Sequence, residues 1–275
     1  MTRKTIIITG LVSQTTELLV RDLDRFCDAG TRIIVSAWEG SKIDVSDIER
    51  CDIVFVKDPG VGPRGNFERM LFSAVAGLDF IKNAYEPKDR GIVLKIRSDF
   101  KCTKDPFTAY RDIPIVDKSV SKLSSKVWID SRWCSYHNFS NNGKIKKWNP
   151  PSYPTRATGI SDWTCMGKHE DVREWYTLQK HSTKDAGGYD ELAKHTMDCD
   201  SIFFLGNLSK FDDSPHCNKR STSVKFAKKF LDENVYFYSL PLDLGMICYK
   251  WALGIRFIDG HHALGCSDFH TELFP

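Results

Sequence analysis

The first hundred residues alternate between two periods. Residues 5–9 (Thr-Ile-Ile-Ile-Thr) are β-branched and apolar, and Gly10 breaks the run. Residues 15–26 follow with Leu18, Leu19, Leu23 and Phe26 at helical spacing. Residues 32–37 and 52–56 predict a second and a third strand, and residues 92–96 a fourth. Before the fourth, residues 66–81 carry Phe67, Met70, Leu71, Ala74, Val75, Leu78 and Ile81 as one helical stripe. Strands apolar almost throughout and separated by helices must be buried on both faces. The pattern therefore predicts an α/β fold, with a mostly parallel central sheet and helices on both sides.

The rest of the chain is less regular. Residues 101–160 are rich in Lys, Ser, Asn and Pro and predict one strand, 126–129. Helices are predicted over 169–179, with Val172, Trp175 and Tyr176 on one side, and over 189–197 and 223–231. A strand at 235–239 follows. No linker or internal repeat divides the sequence, so residues 1–275 read as one domain with an irregular C-terminal half.

Composition narrows the classes. A chain of 275 residues, 41% hydrophobic and 27% charged, is ordinary for a globular protein. At this size folding buries roughly three quarters of the surface, so a core needs no disulfide or structural metal. A net charge of +3 is too even for a general nucleic-acid binder. No run approaches the ~18 apolar residues of a membrane span, and the start of the chain reads as strand and turn rather than a secretory signal. Nine cysteines, an odd count without a CxxC pair, point to reduced thiols, and a cytoplasmic protein is expected. Basic stretches at 144–147 and 219–229 suit peripheral contact with anionic lipid or polymer; solvated faces are the plainer reading.

In an open parallel sheet, ligands bind beyond the carboxyl ends of the strands. The first such loop, residues 10–14 (Gly-Leu-Val-Ser-Gln), matches neither the dinucleotide fingerprint nor a P-loop. The loop after the third strand, residues 58–65 (Asp-Pro-Gly-Val-Gly-Pro-Arg-Gly), suits a type II turn at Pro59-Gly60. It leads into a helix opening at Asn66, where free backbone N–H groups, Arg64 and Arg69 suit an anion, although a surface turn would look the same. The fourth strand runs out through Lys95-Ile96-Arg97-Ser98-Asp99. Period two puts Lys95, Arg97 and Asp99 on one face. A metal–diphosphate would satisfy them, with Asp99 on the cation and the basic side chains on phosphate oxygens. A self-compensating ion cluster is the alternative.

Several segments carry a resemblance: Val35-Ser36-Ala37-Trp38, Lys57-Asp58-Pro59-Gly60, Asn66-x-x-Arg69 with Ser73 and Ala76-Gly77-Leu78, and Leu94 to Asp99. Ile160-Ser161-Asp162-Trp163 with Gly167, Glu170, Asp171 and Val172, and Leu244-Gly245, extend it. In their order and spacing they resemble the WavE lipopolysaccharide-synthesis family, glycosyltransferases of the nucleotide-sugar-binding type called GT-A. The resemblance implies a GT-A-like domain whose first hundred residues bind the donor and whose remainder binds the acceptor. It implies transfer from a nucleotide-diphosphate sugar, a UDP-sugar foremost, to a glycan or lipopolysaccharide-type acceptor.

By the same resemblance, Gly10, Gln14 and Trp38 border the base and ribose, and Asn66 and Arg69 meet the sugar or diphosphate. Asp58, Lys95, Arg97 and Ser98 complete the donor-binding set. Asp99 takes the place of the last carboxylate of an Asp-x-Asp-like element and binds Mn²⁺ or Mg²⁺. The residue two before it is Arg97 rather than an acid, so one carboxylate remains there for the ion. GT-A enzymes recruit C-terminal histidines as further ligands, and His262 and His270 lie in the Gly-containing tail.

An inverting, metal-assisted transfer also needs a carboxylate to take the acceptor hydroxyl's proton. Asp190 and Glu191 follow Gly187-Gly188-Tyr189 and open a predicted helix, a place that also favours acids through the helix dipole. They are the expected base, with Asp162 as acceptor-binding residue or alternative base. Trp128, Trp133, Tyr136, Trp148, Tyr153 and Trp163 either stack on sugar faces or fill the core. Two other functions fit the same residues: a catalytically degenerate relative that binds glycan or a partner protein, and an unrelated α/β phosphotransferase or phosphohydrolase.

Overall fold

Ile6, Ile7 and Ile8 set the layering, because alternation sends Ile6 and Ile8 to one face of the sheet and Ile7 to the other. The protein is described by a computed structural model over residues 2–60, 67–118, 121–130, 163–177, 232–238 and 243–248. Its elements in chain order are β1 (Lys4–Thr9), α1 (Gln14–Phe26), β2 (Thr31–Trp38), β3 (Cys51–Val56), α2 (Phe67–Ala84), β4 (Ile92–Arg97), β5 (Phe100–Cys102), β6 (Val127–Asp130), β7 (Thr164–Lys168), α3 (His169–Thr177), β8 (Val235–Tyr238) and β9 (Met246–Cys248). Seven strands form one sheet in the order β3-β2-β1-β4-β7-β6-β8. Only β7 runs against the others; it pairs antiparallel with β4 and with β6. A separate ribbon pairs β5 with β9.

Each face of the sheet carries its own core. On one, Leu19, Val20 and Leu23 of α1 cover Ile6, Ile8, Ile33, Val35, Leu94 and Ile96. On the other, Leu71, Ala74, Leu78 and Ile81 of α2, with Val172, Trp175 and Tyr176 of α3, cover Ile7, Ile34 and Val93. Each such aliphatic side chain removed from water contributes about 1.5–3 kcal/mol, which is why these runs fold as doubly covered strands. Gly77 brings α2 down on β1: a Cβ there would lie 2.5 Å from Ile7 Cγ2. The predicted α/β class with helices on both faces is the observed one, and the predicted strands and helices of the first hundred residues recur within a few positions.

The differences lie where pattern is weakest. Strands β5, β7 and β9 carry no prediction, being short and of mixed composition; β7 is Thr-Cys-Met-Gly-Lys. Helix α3 is described as far as Thr177, and the helices predicted over 189–197 and 223–231 lie outside the described residues. The described cysteines, Cys27, Cys51, Cys102 and Cys165, are free thiols. Burial pushes all of them up, Cys51 and Cys102 to about 12, which disfavours the reactive thiolate.

The first turn of α3 ties the second half of the chain to the first. The carboxylate of Asp171, buried, accepts the backbone N–H groups of Ser124 (2.6 Å) and Ser125 (3.0 Å) and both their hydroxyls (2.8 and 2.7 Å). His169, also buried, sets Nε2 2.9 Å from the carbonyl oxygen of Leu78. A carbonyl only accepts, so the neutral ring keeps its proton on Nε2.

Two outcomes follow for stability. Replacing Asp171→Ala strands four donors at once and should cost about 3 kcal/mol or more in urea unfolding. Burial, the largest influence on His169, holds its ring below the usual imidazole range. The unfolded chain therefore takes up the proton first, so this stabilisation is complete above about pH 6.5 and is lost as pH falls through the folded value. Urea midpoints measured from about pH 7 down to about pH 5 should fall, and His169→Gln should flatten that slope.

Candidate functional site

The chain steps from β1 to β2 to β3 in one direction, then returns to place β4 on the other side of β1. Beyond the carboxyl ends of two strands whose connections leave in opposite directions there is a crevice, the usual ligand position in an open sheet. Here that switch point falls where the loop opening at Gly10, just after β1, meets Ser98, just after β4.

These two loops are stitched together. The Ser98 N–H donates to the carbonyl of Thr9 (2.8 Å) and its hydroxyl to the carbonyl of Leu11 (2.8 Å). Thr15, in the first turn of α1, reaches the Ser98 carbonyl through its hydroxyl at 3.4 Å. Gly10 makes this approach feasible twice over. Its φ is +114°, and a Cβ there would lie 3.0 Å from Ser98 Oγ. Gln14 opens α1 beside the crevice and is exposed.

Two charged pairs stand at this end of the sheet. Arg97, the last residue of β4, donates from Nε to Asp99 Oδ1 (2.9 Å) and from a terminal nitrogen to Asp99 Oδ2 (2.7 Å). Its guanidinium also sits 4.9 Å from the centre of the Trp163 ring, an arrangement that fixes the fork's plane. Trp163 packs edge-on against Phe100, centroids 6.0 Å apart, because β7 runs antiparallel and starts where β4 ends. Beyond β3, Asp58 accepts two bonds from Arg69 (2.8 and 2.6 Å) and one from the Gly60 N–H (2.9 Å). Arg69 first, then Gly60, holds the Asp58 carboxyl below the usual carboxylate range. Gly60 has φ +81°, as the predicted type II turn demands.

Gly10, Gln14, Arg97 and Ser98, expected at the donor, and Asp99, expected on the cation, lie on the segments that meet after β1 and β4, with Asp58 and Arg69 beyond β3. Two placements correct the expectation. Lys95 does not present its ammonium at the strand end. It points under α3, with Nζ 5.6 Å from the centre of the Tyr176 ring and no exposed surface, because period two puts it on the Ile7 face. Asp99 shares no strand face with it, since β4 ends at Arg97 and Asp99 lies in the following turn. Trp38 is largely buried at 8% exposure, so little more than an edge of its ring is presented. Asn66, Asp162, Asp190, Glu191, His262 and His270 lie outside the described residues. Thr15 is a residue at this place that reading for the site missed; a polar residue at a helix start after β1 was the available signal.

Both Asp99 carboxylate oxygens accept from Arg97. Among the described residues no three His, Cys, Asp or Glu side chains gather as a metal site, and the expected ligands His262 and His270 lie outside them. A cavity of about 550 Å³ lies at the opposite end of the sheet, lined by Lys4, Arg90, Tyr110, Lys168 and His169 among others. Its cations are neutralised locally, Lys4 by Asp28, Lys168 by Asp112 and Arg90 by Glu170, which leaves no net charge directed at a ligand.

No family model matches the chain, and no curated protein matches its sequence. Among solved structures it is similar to mouse xyloside xylosyltransferase 1 in its apo form, at a TM-score of 0.41 and 11% identity over 75% of this chain and 82% of that one. A likeness of that strength carries no argument about donor, acceptor or mechanism.

The stitch between the two loops is open to test. Gly10→Ala should lower stability by about 1–3 kcal/mol through its positive φ and the contact with Ser98. Ser98→Ala, which loses one partly buried bond, should cost about 1 kcal/mol. Equal losses in thermal melts of the two variants would contradict this geometry.

Proposed function

We propose that the chain is a glycosyltransferase that seats a nucleotide-diphosphate sugar, a UDP-sugar foremost, in the crevice between β1 and β4. The observation that supports this most is the meeting of the Gly10 loop with Ser98 at the switch point, with the Arg97 fork at its rim. The acceptor is a glycan or lipopolysaccharide-type molecule, as in the WavE family that the sequence resembles, and the setting is cytoplasmic with peripheral membrane contact. No helix among the described residues is long and apolar enough to cross a membrane.

In the reaction an acceptor oxygen bonds to the anomeric carbon of the sugar while the bond from that carbon to the diphosphate breaks. The electron pair leaves with the diphosphate, and a carboxylate takes the acceptor's proton. Asp190 or Glu191 is the proposed base. Asp162 is the acceptor-binding residue or the alternative base, and its support is its place next to Trp163 in the sequence. The outcome is inversion at the anomeric carbon.

A second reading has its own observation. A chain in which the acid of the Asp-x-Asp-like element is held by Arg97 suits a degenerate relative that binds a glycan or partner without turnover.

Calorimetric titration with UDP-, GDP- and CMP-sugars, with donor-hydrolysis assays alongside, separates the two. Binding with turnover is expected; binding without turnover, even with candidate acceptors, supports the degenerate reading, and no binding removes the glycosyltransferase reading. Among Asp190→Asn, Glu191→Gln and Asp162→Asn, one should lower kcat by about 10²–10⁴-fold while donor affinity stays within about twofold.

A further inference from the structure

We propose that β3 pairs antiparallel with β3 of a second copy of this chain, about a two-fold axis at Val54, so that the two sheets join into one. The inference concerns an edge of the sheet and does not depend on the glycosyltransferase reading.

Among the described residues the outer edge of β3 has no strand beside it. Its bonds to β2 fix which backbone groups are left. The Ile33 N–H donates to the Arg50 carbonyl and the Glu39 N–H to the Val56 carbonyl, each at 2.9 Å. The parallel register between them is unbroken, so residues 52, 54 and 56 turn their backbone groups to β2, and Ile53 and Phe55 turn theirs outward. Proteins blunt such edges with lysine, proline or a bulge, and Cys51–Val56 has none of these. Its one charge, Asp52, is held by Arg32 at 2.6 Å. Phe55 keeps 53% of its surface exposed, on the face where Cys51 and Ile53 pack against the core.

The strand is its own complement. Directly opposed residues of an antiparallel pair share a face, so a two-fold axis must set one residue against its own copy. Centring on Ile53 would call on Cys51, whose N–H already donates to the Ile48 carbonyl at 2.9 Å. Centring on Phe55 would set Ile53 against Lys57, beyond the strand. Centring on Val54 lets Ile53 and Phe55 pair with each other on both sides of the axis, each pair exchanging both its N–H···O bonds. Each exposed phenyl ring then lies against Ile53 of the second copy, an aromatic–β-branched pair of the kind that stabilises sheets. Charge selects the direction. Glu49 precedes the strand and Lys57 follows it; both are exposed, and neither is in an ion pair among the described residues. Antiparallel pairing brings Glu49 of each copy to the end where Lys57 of the other stands, whereas parallel pairing would set like charges together.

Sedimentation velocity and light scattering of the full chain should give twice the mass of one chain. Phe55→Lys should return the monomer, because it puts two ammonium groups into the joint. Lys57→Glu should weaken the dimer by about fivefold or more, and combining it with Glu49→Lys should restore it. Amide hydrogen exchange read by mass spectrometry should find residues 53 and 55 protected in the dimer and fast in Phe55→Lys. A monomeric chain overturns the proposal: slow exchange at residues 53 and 55 then assigns the edge to another segment of this chain, and fast exchange leaves it to a different partner. A dimer that survives Phe55→Lys, or that the double charge exchange fails to restore, overturns it as well. Circular dichroism checks the fold of each variant, and the exposed Glu49 and Lys57 keep the test decisive if Phe55→Lys fails to fold.

Discussion

Beyond Thr9 and Arg97, β1 and β4 come close enough for the backbone and hydroxyl of one residue, Ser98, to bond to the carbonyls of Thr9 and Leu11. That approach would set a Cβ at position 10 only 3.0 Å from Ser98 Oγ. It also positions the start of α1, since Thr15 shares the Ser98 carbonyl. Two buried isoleucine-rich strands supply the rigid support, and a loop carrying a non-glycine residue at that φ would have to pull away from them.

The reversed strand β7 makes the site more than a product of the first hundred residues. Because it runs antiparallel to β4, its first residues arrive at the same end as the last residues of β4. Trp163 therefore reaches Arg97 and Phe100. Asp171 and His169 hold α3 in place at the far end of β7, so the position of Trp163 is supported by a carboxylate with four donors at the other end of the same segment. The ribbon of β5 and β9 adds a second junction, with Cys248 in register with Phe100, the residue after Asp99.

Electrostatically, two acids at this end of the sheet are paired with arginines in bidentate geometry, Asp58 with Arg69 and Asp99 with Arg97. At this degree of exposure such pairs contribute little to stability, about 0–1 kcal/mol each. Their effect is on geometry: each carboxylate holds its arginine fork in one plane.

The amino-acid pattern by itself determined the doubly covered strands β1 to β4 and the helices between them, because burial on both faces leaves a continuous apolar run and burial on one face leaves a helical stripe. It also determined which loops border the crevice, and the turn at Gly60, whose conformation only a few residues adopt. It did not reveal β5, β7 or β9, since three to five mixed residues acquire strand character only from a neighbour already in place. Nor did it separate Lys95 from Arg97. Both are cations two positions apart, yet one lies under α3 and the other at the open end of β4, and where the strand stops relative to its covering helix is a property of the packed structure. The pairing of Asp99 with Arg97 was likewise decided in three dimensions, by the turn after β4.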